Sequence, residues 1–462
     1  MKNKLHYSFL MGLTVIGLLL LNSFVGEFSV GGIQFRKIDL LSDIQIDSPD
    51  SLSNSDWTHI ALENVVTDSL KASQDSIIHE VGEGCPPGLT CIEDYSDDRN
   101  ALGNFLLALQ RVRPDGGTLR IAFYGDSFIE GDVFCGSFRD TLQSIYGGRG
   151  VGFVPITSNV TGFRNTIKHK FENWETSSLV NKTSDAEPGP AGFTFIPLAG
   201  NFVEYRPSRQ RYLREFDKVM LYYKNIDSAV LEFRIDTVSA SEQLKRSGNL
   251  QQWRYRRPGA RLAQFRFPRY DSLWVYGASF ESDGGVYVDN FSIRGNSGLN
   301  LNRISSSMYR QFDQFRNYKL IIMQFGLNLA VEENLNYEAY VRRMVRVING
   351  MKAAFPKASF LLLSVSDRSE NVDGKFQTMP SIPVMRDAQR TIAQECGIAF
   401  WDMFAAMGGE DSMVRYVNAK PALGARDFTH LTFRGGRKLA GHLVRSLLFE
   451  LKRQEKGEAN VP

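Results

Sequence analysis

From Lys319 onward the chain alternates between nearly continuous apolar runs and stretches of helical periodicity. Lys319–Phe325, Ala358–Val365 and Ile398–Trp401 have too few polar positions for a half-solvated strand, which predicts strands buried on both faces. Between them, apolar residues recur at helical spacing over Tyr337–Phe355, stopped by Pro356, and over Pro383–Cys396, ended by Gly397. A last helix is predicted over Arg434–Arg453. The same alternation opens near Ala101: a helix through Leu102, Phe105 and Val112, a buried strand over Thr118–Tyr124, and a helix from Gly136 to Tyr146. Strand and helix in repeated succession predict an α/β fold, a doubly wound parallel sheet in an α/β/α sandwich.

Between Gly150 and Gly285 the pattern changes to short alternating stretches: Val219–Tyr223, Ala229–Ile235, Ala263–Phe267 and Ser272–Gly277. Polar, Gly- or Pro-containing turns separate them, which predicts an inserted antiparallel β-sandwich domain. The α/β domain is therefore expected in two pieces, 98–150 and 286–455, around an insert at 151–285.

The segments before it differ again. Residues 31–97 are acidic and rich in Ser and Asp; a stretch such as Asp47–Asp56 cannot bury enough surface to offset its ordering entropy, so a flexible tether is expected. Lys2 and Lys4 precede an uncharged apolar run, Phe9–Val25, the pattern of an export signal. Residues 1–30 are thus expected to be a signal anchor or signal peptide. The absence of a clean small-x-small site favours an anchor in the inner membrane, with the rest of the chain periplasmic or otherwise outside the cytoplasm. Cys85 and Cys91 bracket a Pro-Pro-Gly turn and form a candidate disulfide in such a compartment, the alternative being two free thiols.

Charge excludes one class of partner. With 54 basic and 51 acidic residues the net charge is only +3, so there is no electrostatic case for nucleic acid. No Cys/His spacing resembles a zinc site, and no metal or organic cofactor is expected.

Gly125-Asp126-Ser127 falls where the Thr118–Tyr124 strand gives way to a helix, at the end of the sheet where open α/β folds place ligands. A serine there needs a base. The chain has six histidines: His6 lies in the export signal, His59 and His79 in the tether, His169 in the insert, and His442 on the last helix. His430 remains, three residues after Asp427, which can fix its tautomer and stabilise the imidazolium. Gly295 follows an apolar strand and offers a backbone N–H, while Asn328 in Gly326-Leu-Asn offers a side-chain amide. With the Ser127 N–H these make an oxyanion hole of three donors. Gly298 competes with Gly295 for that role.

Taken in order, Gly125-Asp126-Ser127, Gly295, Gly326-x-Asn328 and Asp427-x-x-His430 resemble the four blocks of the SGNH, or GDSL-type, hydrolase family. Leu329 departs from it, since many members carry an acidic residue after the asparagine. The resemblance implies Ser127 as nucleophile, His430 as base, Asp427 as its orienter, and Gly295 and Asn328 as oxyanion donors. The insert, the export signal and the tether together are similar to bacterial peptidoglycan O-acetylesterases of the Ape type, whose inserts resemble carbohydrate-binding modules. That implies an acetylated glycan as substrate. Trp253, Tyr255, Arg266 and Tyr270 offer rings and cations suited to sugars, unless they form an ordinary aromatic core with solvated arginines. An O-acetyltransferase with the same residues, an inert glycan-binding protein and a lipase or thioesterase are the alternatives.

Overall fold

The computed structural model describes residues 28–30, 33–35, 84–331 and 334–457. The expected export segment Phe9–Val25 and most of the tether lie outside these. Residues up to Trp57 form one unit and those from Thr58 another; in the first, Phe28–Val30 pairs antiparallel with Ile33–Phe35. Among the described residues no helix is long and apolar enough to cross a membrane.

The second unit holds an α/β sheet built in chain order from β1 (Glu93–Asp94), α1 (Gly103–Asp115), β2 (Thr118–Gly125), α2 (Ser127–Glu130) and α3 (Val133–Tyr146). After the insert come β3 (Gly285–Ser292), α4 (Ser306–Arg316), β4 (Tyr318–Gln324), α5 (Glu338–Ala354), β5 (Ser359–Leu363), α6 (Ser381–Cys396), β6 (Ala399–Trp401) and α7 (Phe433–Glu455). The spatial order is β3-β2-β4-β5-β6-β1, all parallel except β1. The continuous apolar runs are inner strands: every residue of β4 but Lys319 and every residue of β5 is buried. Helices α1, α3 and α7 pack with one another, as do α4, α5 and α6, forming the two helical layers. The chain leaves β2 for β3 on one side and returns to β4 on the other, so the order reverses at β2. A crevice opens at the carboxyl ends of strands at such a reversal.

Residues 84–97, which composition placed in the flexible tether, belong to the folded body. β1 adds an antiparallel edge to β6, and Cys85 and Cys91 are disulfide-bonded with Cα atoms 5.9 Å apart. The Thr90 carbonyl accepts from the Trp401 indole at 3.0 Å and from Ser446 Oγ at 2.6 Å. The acidic residues that suggested disorder are bonded here: Asp94 accepts from the Ala101 N–H at 2.9 Å and Glu93 from Arg390 Nε at 2.9 Å.

The insert is antiparallel, a curled nine-stranded sheet that closes over its own core. Phe193–Pro207 pairs with Ile167–Ser178 along most of its length, with Ala263–Tyr270 near one end and with Leu273–Glu281 near the other. Two buried charge clusters join it to the α/β sheet. Arg316, fully buried, is ion-paired with Asp289 of β3 at 2.5 Å and with Glu281 of the insert at 2.5 Å; Arg120 of β2 also reaches Glu281, at 2.6 Å. Asp132 collects Arg139 at 3.0 Å, Arg164 of the insert at 2.9 Å, Thr166 at 2.6 Å and Asn290 of β3 at 2.8 Å. Burial opposes ionisation of Asp132, but the two arginines outweigh it and hold its carboxyl far below the usual range.

Candidate active site

Three strand ends deliver the site. Ser127 opens α2 immediately after β2, and its neighbour Asp126 caps that helix by accepting from the Phe128 N–H at 2.9 Å. Gly295 follows β3 and Asn328 follows β4. His430 sits in an excursion whose base is closed by the Ala425 N–H to His430 carbonyl bond, 2.8 Å, and the Thr432 N–H to Leu423 carbonyl bond, 3.0 Å.

The expected residues meet. His430 Nε2 lies 3.3 Å from Ser127 Oγ, and His430 Nδ1 lies 2.6 Å from Asp427 Oδ2. The tautomer that donates Nδ1–H to Asp427 leaves Nε2 bare to accept the serine proton. Asp427 Oδ1 also accepts the backbone N–H groups of Thr429 and His430, both at 3.0 Å. Burial works against the Asp427 anion, yet the His430 and Thr429 bonds outweigh it and hold its carboxyl below the ordinary value. A 3.3 Å contact is long for O–H···N, as expected before a substrate closes the geometry.

The other two histidines among the described residues are engaged elsewhere. His169 is stacked 4.6 Å from Tyr205, its Nε2 on the Ile156 carbonyl, and burial pushes its pKa down to about 3. On α7, His442 accepts from Arg445 at 2.9 Å, and burial pushes it down to about 4.

The two glycines differ in surroundings. A Cβ at Gly298 would come within 3.0 Å of Met344 Sδ and Phe325 Cδ2, so this glycine serves packing. A Cβ at Gly295 would meet nothing within 4 Å, and its N–H, like that of Ser127, has no acceptor among the described residues. Gly295 is thus the one with a donor to offer. The Asn328 amide is already bonded, to Asp126 Oδ2 at 3.2 Å and to the Asn296 carbonyl at 3.1 Å. To serve an oxyanion it must share one of those hydrogens.

Asp126 is the residue whose part the sequence did not disclose. It is fully buried, and burial pushes its carboxyl up to about 7, against the Phe128 N–H and the nearby His430, which pull it down. Its place before the serine was the only signal available.

The insert lines both flanks of the site. Phe163, about half exposed, rests on Gly131 just after α2, and Leu179 and Gly192 pack on Ile293 two residues before Gly295. Arg294 is paired with Glu130 of α2 at 3.0 Å. Of the two readings of the aromatic run, the core one holds for Trp253, which is buried with its indole on Glu242 at 2.7 Å, and for its neighbours Phe265 and Phe267. Strand alternation sends Arg254, Arg256 and Arg266 to solvent.

A solved peptidoglycan O-acetylesterase superposes with a TM-score of 0.64 at 22% sequence identity, over 79% of this chain and 99% of that one. The chain has the SGNH hydrolase fold with an inserted β domain. A family two carbohydrate esterase from Cellvibrio japonicus, 8% identical over 65% of this chain and 98% of its own with a TM-score of 0.26, is too remote to add to that. No protein-family model matches the sequence, and no curated protein does.

Proposed function

We propose that this chain is a serine esterase that removes O-acetyl groups from peptidoglycan or another polysaccharide, outside the cytoplasm. The observation that carries the reading is the hydrogen-bonded chain from Ser127 through His430 to Asp427, set beside two unpaired N–H groups. Ser127 Oγ attacks the acetyl carbonyl while His430 takes its proton; the Ser127 and Gly295 N–H groups and the Asn328 amide hold the oxyanion. His430 then protonates the departing sugar oxygen. Water repeats the cycle on the acyl-serine and acetate leaves.

A glycan acetate is the favoured substrate for two reasons. The structural relative is described as a peptidoglycan O-acetylesterase. In addition, Gly295, Asn328 and Asp427 are exposed, so the reacting groups stand where a polymer can reach them. The basic, apolar N-terminus and the Cys85–Cys91 disulfide support an oxidising compartment and an inner-membrane anchor.

The test compares acetate release from O-acetylated peptidoglycan and from acetylated xylan by the wild-type chain and Ser127→Ala. Wild-type release from peptidoglycan, lost in a folded Ser127→Ala, is expected. Undiminished release by that variant would reject the nucleophile, and faster acetyl transfer to added oligosaccharide than release of acetate would replace the esterase with a transferase.

A further inference from the structure

After β5 the chain forms a small hairpin, Ser369–Val372 paired with Lys375–Thr378, that belongs to none of the four sequence blocks. It grips the Asp427–His430 excursion at one residue, Phe428, and in two ways. The Ser369 N–H donates to the Phe428 carbonyl at 3.0 Å. The Phe376 ring lies on the Phe428 ring with centroids 3.6 Å apart and planes 4° from parallel. Rings left to themselves choose offset or edge-on contacts over such a sandwich, so the backbone on either side imposes it. Phe428 itself has φ of +52°, a region bulky side chains rarely adopt unless held there.

The hairpin is firmly rooted. Asp367, fully buried, accepts from Thr378 Oγ1 at 2.9 Å and from the Met413 N–H at 2.7 Å, and the Thr378 N–H donates to Asp411 at 3.0 Å. Between Asp367 and Ser369, Arg368 donates from Nη1 to the Leu327 and Ala330 carbonyls at 3.4 and 3.3 Å, on either side of Asn328. One short segment therefore contacts both the Asn328 turn and the His430 excursion. Asp427, by contrast, bonds to Thr429 and His430 within its own turn. These bonds make the Asp–His pair a unit that moves with the excursion, whose own ties run to its base through the Phe428 N–H on the Ala425 carbonyl at 3.1 Å and the Ala425 N–H on the His430 carbonyl.

We infer that Phe376 is a positioning residue for His430, acting through Phe428; the inference rests on the esterase reading of this site. With the ring gone, Phe428 can leave its left-handed conformation and carry Asp427 and His430 with it. The Ser127–His430 contact is already 3.3 Å, so a shift of a fraction of an ångström separates them.

The test compares wild type, Phe376→Ala and Phe376→Tyr, at a temperature where circular dichroism shows all three folded. Hydrolysis of p-nitrophenyl acetate is followed alongside the downfield proton NMR signal of the hydrogen-bonded imidazole N–H. For Phe376→Ala, kcat should fall about 10- to 100-fold with KM within about 2-fold of wild type, and the imidazole signal should move or vanish. Phe376→Tyr, which keeps the ring face, should restore both. Wild-type kcat with an unchanged imidazole signal in Phe376→Ala would overturn the inference, whatever happens to its melting temperature. A change in KM alone would also overturn it, since the ring would then be touching substrate. If wild type cleaves no ester, the esterase reading falls, while the imidazole signal still decides whether Phe376 holds His430.

Discussion

The buried carboxyl of Asp126 accepts a hydrogen bond from the side-chain amide of Asn328 at 3.2 Å, joining the residue before the nucleophile to a proposed oxyanion donor. Asn328 is exposed and needs something to aim it, and Asp126 supplies that from the fully buried side. The carboxyl is raised by burial to about 7, so the native state favours its protonated form.

Asp126→Asn should therefore change two measurements in opposite senses. Between about pH 4 and 7 the native chain holds a proton at Asp126 that the unfolded chain has released, so this group's contribution to stability falls as pH rises, by up to about 1.4 kcal/mol per unit, against the opposite contributions of buried His169 and His442. The asparagine removes that slope, which urea unfolding across this range will show. If its carbonyl stays on the Phe128 N–H, its amide faces the Asn328 amide, donor against donor. Ester turnover should then drop even as neutral-pH stability rises.

Asn328→Ala should lower kcat by about 10²- to 10³-fold and leave KM nearly unaltered, the signature of a donor used mainly in the transition state. Steady-state kinetics on a small acetyl ester measures it. An effect confined to KM would place the amide on the ground-state substrate instead.

Replacing the two neighbouring glycines by alanine should separate their roles. Both have positive φ, +75° at Gly295 and +88° at Gly298, and each substitution carries a backbone cost of about 1–2 kcal/mol. Gly298→Ala adds the clash with Met344 and Phe325, so its urea midpoint should lie below that of Gly295→Ala.

Arg316→Met strips the counter-charge from Asp289 and leaves Glu281 with Arg120 alone. A loss of about 3–5 kcal/mol in unfolding free energy is expected, because a buried charge without a partner is expensive. Adding Asp289→Asn, which removes the carboxylate left without a cation, should return part of it. An unaltered unfolding curve for the single variant would show that the cluster contributes nothing to stability.

Reducing the Cys85–Cys91 bond should loosen the segment that bonds Trp401 through the Thr90 carbonyl. A short closed loop of this kind contributes on the order of 2 kcal/mol. Thermal unfolding with and without reductant will report it, and ester hydrolysis should persist in the reduced protein at moderate temperature.

The α/β sheet and the residues that meet at Ser127 were legible because their signals are local. Continuous apolar strands fix burial on both faces, the first three blocks sit at strand ends that the pattern itself marks, and the fourth lies just before the last helix. What escaped depends on tertiary partners. Ile167–Ser178 is a long strand with many exposed positions, so no clean alternation announces it. Glu93 and Asp94 look like tether until Arg390 and the Ala101 N–H are seen to hold them. The grip of Phe376 on Phe428 spans more than fifty residues with no shared motif.

The placement of the insert between β2 and β3 also governs how the chain must be assembled. Asn290 bonds the Ile129 carbonyl across 161 residues, and β2 gains both of its neighbours only when residues 285–324 have been made. Emerging from synthesis, the first part of the α/β body has a bare apolar strand with two open edges while the insert is completed ahead of it. Such late pairing is slow and exposes the strand to aggregation, so production of this protein should depend more on chaperone supply than on its final stability.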